Sequence, residues 1–195
     1  MEQDRDFMDS LREQDIAWRF LKTRKIFLWG AVDDELSRDV VSKLLLLEAE
    51  NSKEDISVYL NSPGGIIPAG LAIYDAIQTI KPDVSVTCMG QAASMGAVLL
   101  AGGAKGKRFA WPHSRIMIHQ PTVLGQIWGP ATSIAIQSQE VLKLRDELNA
   151  ILARHTGQSK ETIEQDTDRD FFMSPEEAKT YGIIDGIRTS GGGGG

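Results

Sequence analysis

A chain of 195 residues, 42% of them hydrophobic and 25% charged, is long enough to bury the core of one globular domain and needs no second. Its formal net charge of −6 excludes the basic footprint of a nucleic-acid or anionic-membrane binder, so neither is expected as a partner. Its one cysteine, Cys88, builds neither a disulfide nor a cysteine metal cluster, and inside an apolar strand pattern it reads as a small buried hydrophobe in a reducing compartment.

Residues 1–15 are rich in Asp, Glu, Gln and Arg with scattered Phe7, Met8 and Leu11. They carry too little apolar surface to fix themselves to a core and read as a mobile arm or a segment ordered by a partner. No signal-peptide core follows Met1 and no run approaches a membrane span, so a cytoplasmic protein of bacterial type is expected. Ile16, Phe20 and Leu21 can line one face of a short helix, and Lys25 to Gly30 reads as a strand closed by glycine. Asp33 is placed to cap the next helix, in which Leu36, Val40, Leu44 and Leu47 recur at helical spacing before a stop at Asn51.

Asp55 to Leu60 and Asp83 to Met89 then echo each other, each followed by a glycine-bearing turn and a helix. The first of these helices opens at Pro68, carries Ile73, Ile77 and Ile80 on one face and ends before Lys81-Pro82. Both strands are apolar at nearly every position, which predicts stacked β/α units around a largely parallel, doubly covered sheet. Lys105 to Arg108 is polar. Ser114 to His119 reads as another strand, ended by Gln120-Pro121, and Thr122 to Pro130 as an exposed hairpin or extended loop.

A long helix is predicted from about Ala131 to His155, stopped by Thr156-Gly157. At about 1.5 Å per residue it spans roughly 37 Å, against roughly 40 Å for a compact chain of this length, so it crosses the body or projects from it. Ile134, Val141 and Leu148, with Leu144 and Ile151, make a narrow seven-spaced stripe, the pattern of a seam between helices, which favours subunit contact over a helix lying on its own core, where a wider apolar face is usual. Ser174-Pro175-Glu176-Glu177 is a capping-box pattern, Gly182 to Asp185 turns into a last strand, and residues 189–195, ending in Gly191 to Gly195, read as a flexible tail.

The chemistry concentrates in Cys88 to Ala97, where a strand run stops at Gly90, passes two alanines and delivers Ser94 to the start of an apolar helix. A serine there is either an N-cap or a nucleophile beside unpaired helix N–H groups. Ala92-x-Ser94-x-Gly96 lacks the first glycine of a G-x-S-x-G elbow. The Gly64-Gly65 pair is either a plain turn or a set of N–H groups presented to a ligand. Of three histidines, His155 reads as a cation complementing a helix C-terminus and His113 sits in a turn. His119 ends a core strand on the same sheet edge as Ser94 and is the candidate base. Asp166, Asp168 and Asp170 are all candidates for an orienting carboxylate, and an extended run would point all three the same way.

Asn61-Ser62-Pro63-Gly64-Gly65, Gln91-Ala92-Ala93-Ser94-Met95-Gly96, Met117-Ile118-His119-Gln120-Pro121, His155-Thr156-Gly157-Gln158-Ser159 and Asp166-Thr167-Asp168-Arg169-Asp170, in this order and spacing, resemble the ClpP family, the proteolytic subunits of the Clp protease. The resemblance runs from about residue 15 to residue 188. It implies an α/β, crotonase-like (ClpP) fold of repeated strand-turn-helix units with a projecting handle helix, residues 16–188 forming a serine peptidase domain. It also implies an endopeptidase that hydrolyses unfolded proteins and peptides inside two stacked seven-membered rings. No cofactor or metal is expected in this chain; ATP is used by a separate AAA+ unfoldase of the ClpX, ClpA or ClpC type.

Carried over by position, the resemblance makes Ser94 the nucleophile, His119 the general base and Asp170 its carboxylate, with the N–H groups of Gly65 and Met95 as oxyanion hole. Gly64, Ile66, Pro121, Thr122 and Val123 would bind substrate, Asp168 and Arg169 would pair across the ring interface, and Ser57, Tyr59, Phe109, Trp111 and Arg188 would meet the ATPase. The chain departs from the family pattern in four places. Its arm lacks the usual Pro-containing apolar start, Ser57 and Arg188 replace apolar or aromatic residues, the segment after Pro121 is about two residues longer, and Pro130 stands where glutamine is common. These departures suggest one isoform of a mixed complex, a second isoform supplying the docking surface. A catalytically weak or structural ring subunit and a crotonase-like acyl-CoA-binding enzyme are the alternatives.

Overall fold

The computed structural model describes residues 15–122 and 130–189. All but the last residue of the expected arm, most of the Thr122 to Pro130 loop including Val123, and the terminal glycine run lie outside them. In chain order the elements are α1 (residues 15–22), β1 (Lys25–Trp29), α2 (Asp34–Glu50), β2 (Ile56–Ser62), α3 (Ile67–Thr79), β3 (Val84–Ala93) and α4 (Met95–Ala101). There follow β4 (Arg108–Ala110), β5 (Arg115–Ile118), α5 (Ala131–Thr156), α6 (Lys160–Asp166), β6 (Phe171–Met173), α7 (Pro175–Tyr181) and β7 (Gly186–Ile187).

Strands β1, β2, β3, β4 and β7 lie side by side and parallel. β5 adds parallel to the far end of β3, and β6 pairs antiparallel with β5. The doubly covered sheet holds only at its centre: Val84 to Cys88 are buried throughout, whereas β2 alternates, with Ile56, Val58 and Leu60 buried and Ser57, Tyr59 and Asn61 half-buried. Val40, Leu44 and Leu47 of α2 and Ile73 of α3 share one core with the buried residues of β2, at or near zero exposure, each side chain contributing about 1.5–3 kcal/mol by burial. The open face of β1 and β2 carries aromatics instead, Phe27 stacking on Tyr59 at 5.5 Å and meeting Phe20 edge-on at 4.9 Å.

Strand β3 does not stop at Gly90. That glycine takes φ +92°, and a Cβ there would lie 2.9 Å from Asn61 Oδ1. The Gln91 N–H donates to Asn61 Oδ1 at 3.2 Å while the β2–β3 register slips between Leu60 and Ser62. An amide side chain thus bridges the break, and β3 continues to Ala93. One strand thereby serves two neighbours, β4 along Val86–Cys88 and β5 along Gln91–Ala93. β4 itself begins inside the stretch read as polar, because Arg108 is buried in a bidentate pair with Asp185.

Local signals formed where expected. Asp33 Oδ1 accepts from the Leu36 N–H at 2.9 Å, Ser174 and Glu177 close a capping box, and Gly157 ends α5 in the left-handed region. Arg24 was not anticipated. Buried, with φ +58°, it donates to the carbonyls of Leu47, Asn51, Glu54 and Asp55 and ties the end of α2 to the start of β2.

Helix α5 projects. Only Leu148, Asn149, Ile151 and Leu152 are buried, while Ile136 and Leu142 are 66% and 52% exposed. His155 in its last turn is not the expected dipole-complementing cation. Burial, reinforced by the Arg154 and Arg108 charges, holds its pKa below the ordinary value, and its Nε2 pairs with the Tyr74 hydroxyl at 2.8 Å.

A base whose folded-state pKa lies below the unfolded value of 6.5 leaves stability intact above that value and removes it as pH falls towards the folded one, because the unfolded chain binds the proton first. Denaturant midpoints at pH 7.5 and 5.5 should therefore fall further for the wild type than for His155→Gln. Equal falls would contradict this account of His155.

Candidate active site

Two ladders, β3 with β5 and β5 with β6, end at one corner of the sheet. The last β3–β5 pair is Ala93 with Met117, and the next N–H, that of Ser94, donates to the Met117 carbonyl at 2.9 Å. The last β5–β6 pair is Ile118 with Phe171, so the following position opposes His119 to Asp170. Facing residues of an antiparallel pair have Cβ atoms about 5 Å apart. Ser94, His119 and Asp170 are each the first residue beyond a paired strand, and their side chains converge. His119 Nδ1 lies 3.0 Å from Asp170 Oδ1, and His119 Nε2 lies 3.0 Å from Ser94 Oγ. With the carboxylate accepting from Nδ1–H, the hydroxyl donates to Nε2.

Ser94 occupies the N-cap position of α4 but makes no capping bond; its backbone is at φ +55°, ψ −122°. That left-handed geometry turns Oγ away from the helix and costs about 1–3 kcal/mol. Every residue of α4 is buried, which holds the turn in place. Small neighbours are required: a Cβ on Gly64 would lie 2.6 Å from Ser94 Cβ and 3.1 Å from the Met95 nitrogen.

The Gly64-Gly65 turn is pinned to the chain before α2. The Gly64 N–H donates to Ser62 Oγ at 3.1 Å, the Val32 N–H to the Gly64 carbonyl at 2.8 Å and the Ile66 N–H to the Val32 carbonyl at 2.7 Å. Among the described residues neither the Gly65 nor the Met95 N–H donates a hydrogen bond. Met95, first in its helix, has no intrahelical acceptor.

A groove of about 690 Å³ runs past these groups. Its wall includes Gly64, Ile66, Pro121 and Thr122 of the expected substrate residues, and α5 supplies Leu148 and Leu152. Val123 lies outside the described residues. The three aspartates separate, because the run is not extended: α6 ends at Asp166 and a turn follows. Asp166 ends α6 and accepts from the Tyr181 hydroxyl, Asp168 sits beside Gln120, and Asp170 alone reaches His119. His113 lies exposed in a turn.

Asp168 and Arg169 are exposed and 3.6 Å apart. Tyr59 and Phe109 share a face, being in register across Thr87. Arg188 stacks over the Phe109 ring at 4.2 Å, Trp111 is exposed, and Ser57 is half-buried two residues before Tyr59. Phe20 and Phe27 extend this aromatic face. The sequence carried that signal as the alternation in Lys25 to Trp29.

Burial pushes the Cys88 thiol up to about 11, so it is no competing nucleophile. Among the described residues no three His, Cys, Asp or Glu side chains are grouped to hold a metal ion. No described helix is long and apolar enough to cross a membrane. In the sequence Gln120 was legible only as the end of a strand and Asn149 not at all, because neither belongs to a periodic pattern.

A family model described as Clp protease matches residues 8–191.

A methyl group at residue 64 must displace Ser94 or the turn, and a misplacement of about 1 Å near a reacting atom costs on the order of 100-fold. Gly64→Ala should slow phosphonylation of Ser94 by a fluorophosphonate by about that factor, read by intact mass. An unchanged rate would show that the contact between Gly64 and Ser94 is dispensable.

Proposed function

Because the chain belongs to the Clp protease family, with the mixed α/β, crotonase-like architecture described above, we propose that it is a serine endopeptidase acting through Ser94, His119 and Asp170. The observation that carries this reading is the unbroken line Asp170 Oδ1, His119 Nδ1, His119 Nε2, Ser94 Oγ, with 3.0 Å at each hydrogen bond, beside the Gly65 and Met95 N–H groups, which have no acceptor among the described residues.

In the proposed mechanism Ser94 Oγ attacks the carbonyl carbon of a peptide bond as its proton passes to His119 Nε2. The N–H groups of Gly65 and Met95 receive the oxyanion. The tetrahedral intermediate collapses by breaking the C–N bond, His119 giving its proton to the departing amine and leaving an ester on Ser94. Water, deprotonated by His119, then cleaves the ester and the proton returns to Ser94. Asp170 stays ionised, holding the imidazole and favouring its cation. Gly64, Ile66, Pro121, Thr122 and Val123 would hold the substrate strand, with the apolar residues of α5 receiving a side chain.

The partners we assign are further copies of the chain in two stacked seven-membered rings and a separate, ATP-using AAA+ unfoldase in the cytoplasm. The exposed apolar residues of α5 support its use as the contact between rings, with Asp168 and Arg169 pairing across that interface. Ser57, Tyr59, Phe109, Trp111 and Arg188 form the proposed docking face. A second reading is a ring subunit that needs another isoform for activity. It is favoured by the Asp170 side chain, 59% exposed in the single chain, which a neighbour would have to cover.

Assembled particles of verified mass should hydrolyse a short fluorogenic peptide. Ser94→Ala should lose at least about a thousandfold in kcat/KM and Asp170→Asn roughly 10⁴-fold. Wild-type activity surviving in Ser94→Ala would refute the assignment, and activity appearing only with a second isoform would select the second reading.

A further inference from the structure

Asp170 is an unusually free carboxylate for the task given to it. Among the described residues its only hydrogen bond is to His119, and its side chain is 59% exposed. An exposed side chain held by a single bond keeps its direction only as well as the backbone beneath it is held. That backbone is the turn from α6 to β6. On its α6 side, the Thr167 N–H and hydroxyl both donate to the Ile163 carbonyl, at 2.9 and 2.7 Å. On its β6 side the ladder to β5 begins only at Phe171. The Asp168 N–H reaches back to the Gln165 carbonyl only at 3.4 Å, and Arg169 and Asp170 lie between these anchorages.

Gln120 spans that gap. Its backbone N–H donates to the Thr167 carbonyl at 2.6 Å. Its side-chain Nε2 donates to the Asp168 carbonyl at 3.0 Å and approaches Asp168 Oδ1 at 3.3 Å. A primary amide has two N–H groups, one for each oxygen. Because Gln120 directly follows His119, a two-residue segment both carries the imidazole and grips the turn that carries its carboxylate. Any drift of the turn relative to β5 therefore stretches the Gln120 bonds before it parts Asp170 from His119.

Resting on the peptidase reading above, we propose that Gln120 is a positioning residue for the reaction, acting through Asp170 and touching no reacting atom. Its contribution is donor chemistry and not bulk. Glu at this position matches the glutamine in size but presents acceptors to the carbonyl and carboxylate of Asp168.

The test is a kinetic cycle at matched particle mass with a fluorogenic peptide, comparing wild type, Gln120→Ala, Gln120→Glu, Asp170→Ala and the double variant Gln120→Ala with Asp170→Ala. Either Gln120 variant should lower kcat by about tenfold to 100-fold with KM within about twofold, Glu at least as severely as Ala. In the Asp170→Ala background the Gln120→Ala change should cost less than about twofold, since residues acting as one unit are not additive. Unchanged kcat in both variants, losses that multiply in the double variant, or a raised KM at constant kcat would each overturn the proposal. Wild-type hydrolysis indifferent to residue 120 would sink this inference alone. No wild-type hydrolysis under any condition would sink the peptidase reading and this inference with it.

Discussion

The site depends on strand register. Ser94, His119 and Asp170 come from three segments far apart in sequence, and what brings them together is that β3, β5 and β6 end their pairing at the same corner. A side chain alternates faces with each residue of a strand, so a slip of one position in either ladder would turn a member of the set away from the others. The register is held elsewhere. Asn61 bridges the break at Gly90 so that β3 reaches β5, and Ile116 and Ile118 are buried beneath the ladder's end.

Strain is concentrated where it has a use. Ser94 holds a backbone conformation costing about 1–3 kcal/mol, and the burial of Val98, Leu99 and Leu100 in the helix it begins, about 1.5–3 kcal/mol each, offsets that cost. The glycine turn facing it is fixed through Val32, which stands before α2, so the two proposed oxyanion donors belong to separate anchored elements. The groove between them is completed by the buried part of α5, while the rest of that helix leaves the body. Groove wall and projecting segment are therefore parts of one continuous helix.

What could be read from sequence was what local chemistry decides. Asp33, Asn51, Gly157 and the Ser174 capping box act within a few residues of themselves, Asp33 and Ser174 through side-chain oxygens and Asn51 and Gly157 through backbone N–H groups, and each formed where the sequence places it. Ser94 was legible only as an ambiguity, since an N-cap and a nucleophile begin a helix with the same residue; φ +55° and the missing capping bond remove the first of these roles. The continuation of β3, the neutral His155 and the sorting of Asp166, Asp168 and Asp170 were not legible from periodicity. Each depends on a partner many residues distant: Asn61 for Gln91, Tyr74 for His155, His119 for Asp170. The resemblance of motifs singled out Asp170, whereas Gln120 stood in its motif only as a strand end, its grip on Asp168 being invisible without the fold.

The central claim is that the hydrogen-bonded line ending at Ser94 Oγ makes a covalent ester during turnover. An activated peptidyl ester mixed with the assembled protein, quenched in acid within the first turnover and analysed by mass and peptide mapping, tests it directly. The account predicts the peptidyl acyl group on Ser94, absent in Ser94→Ala. Turnover with no adduct, or an adduct on another side chain, would contradict it.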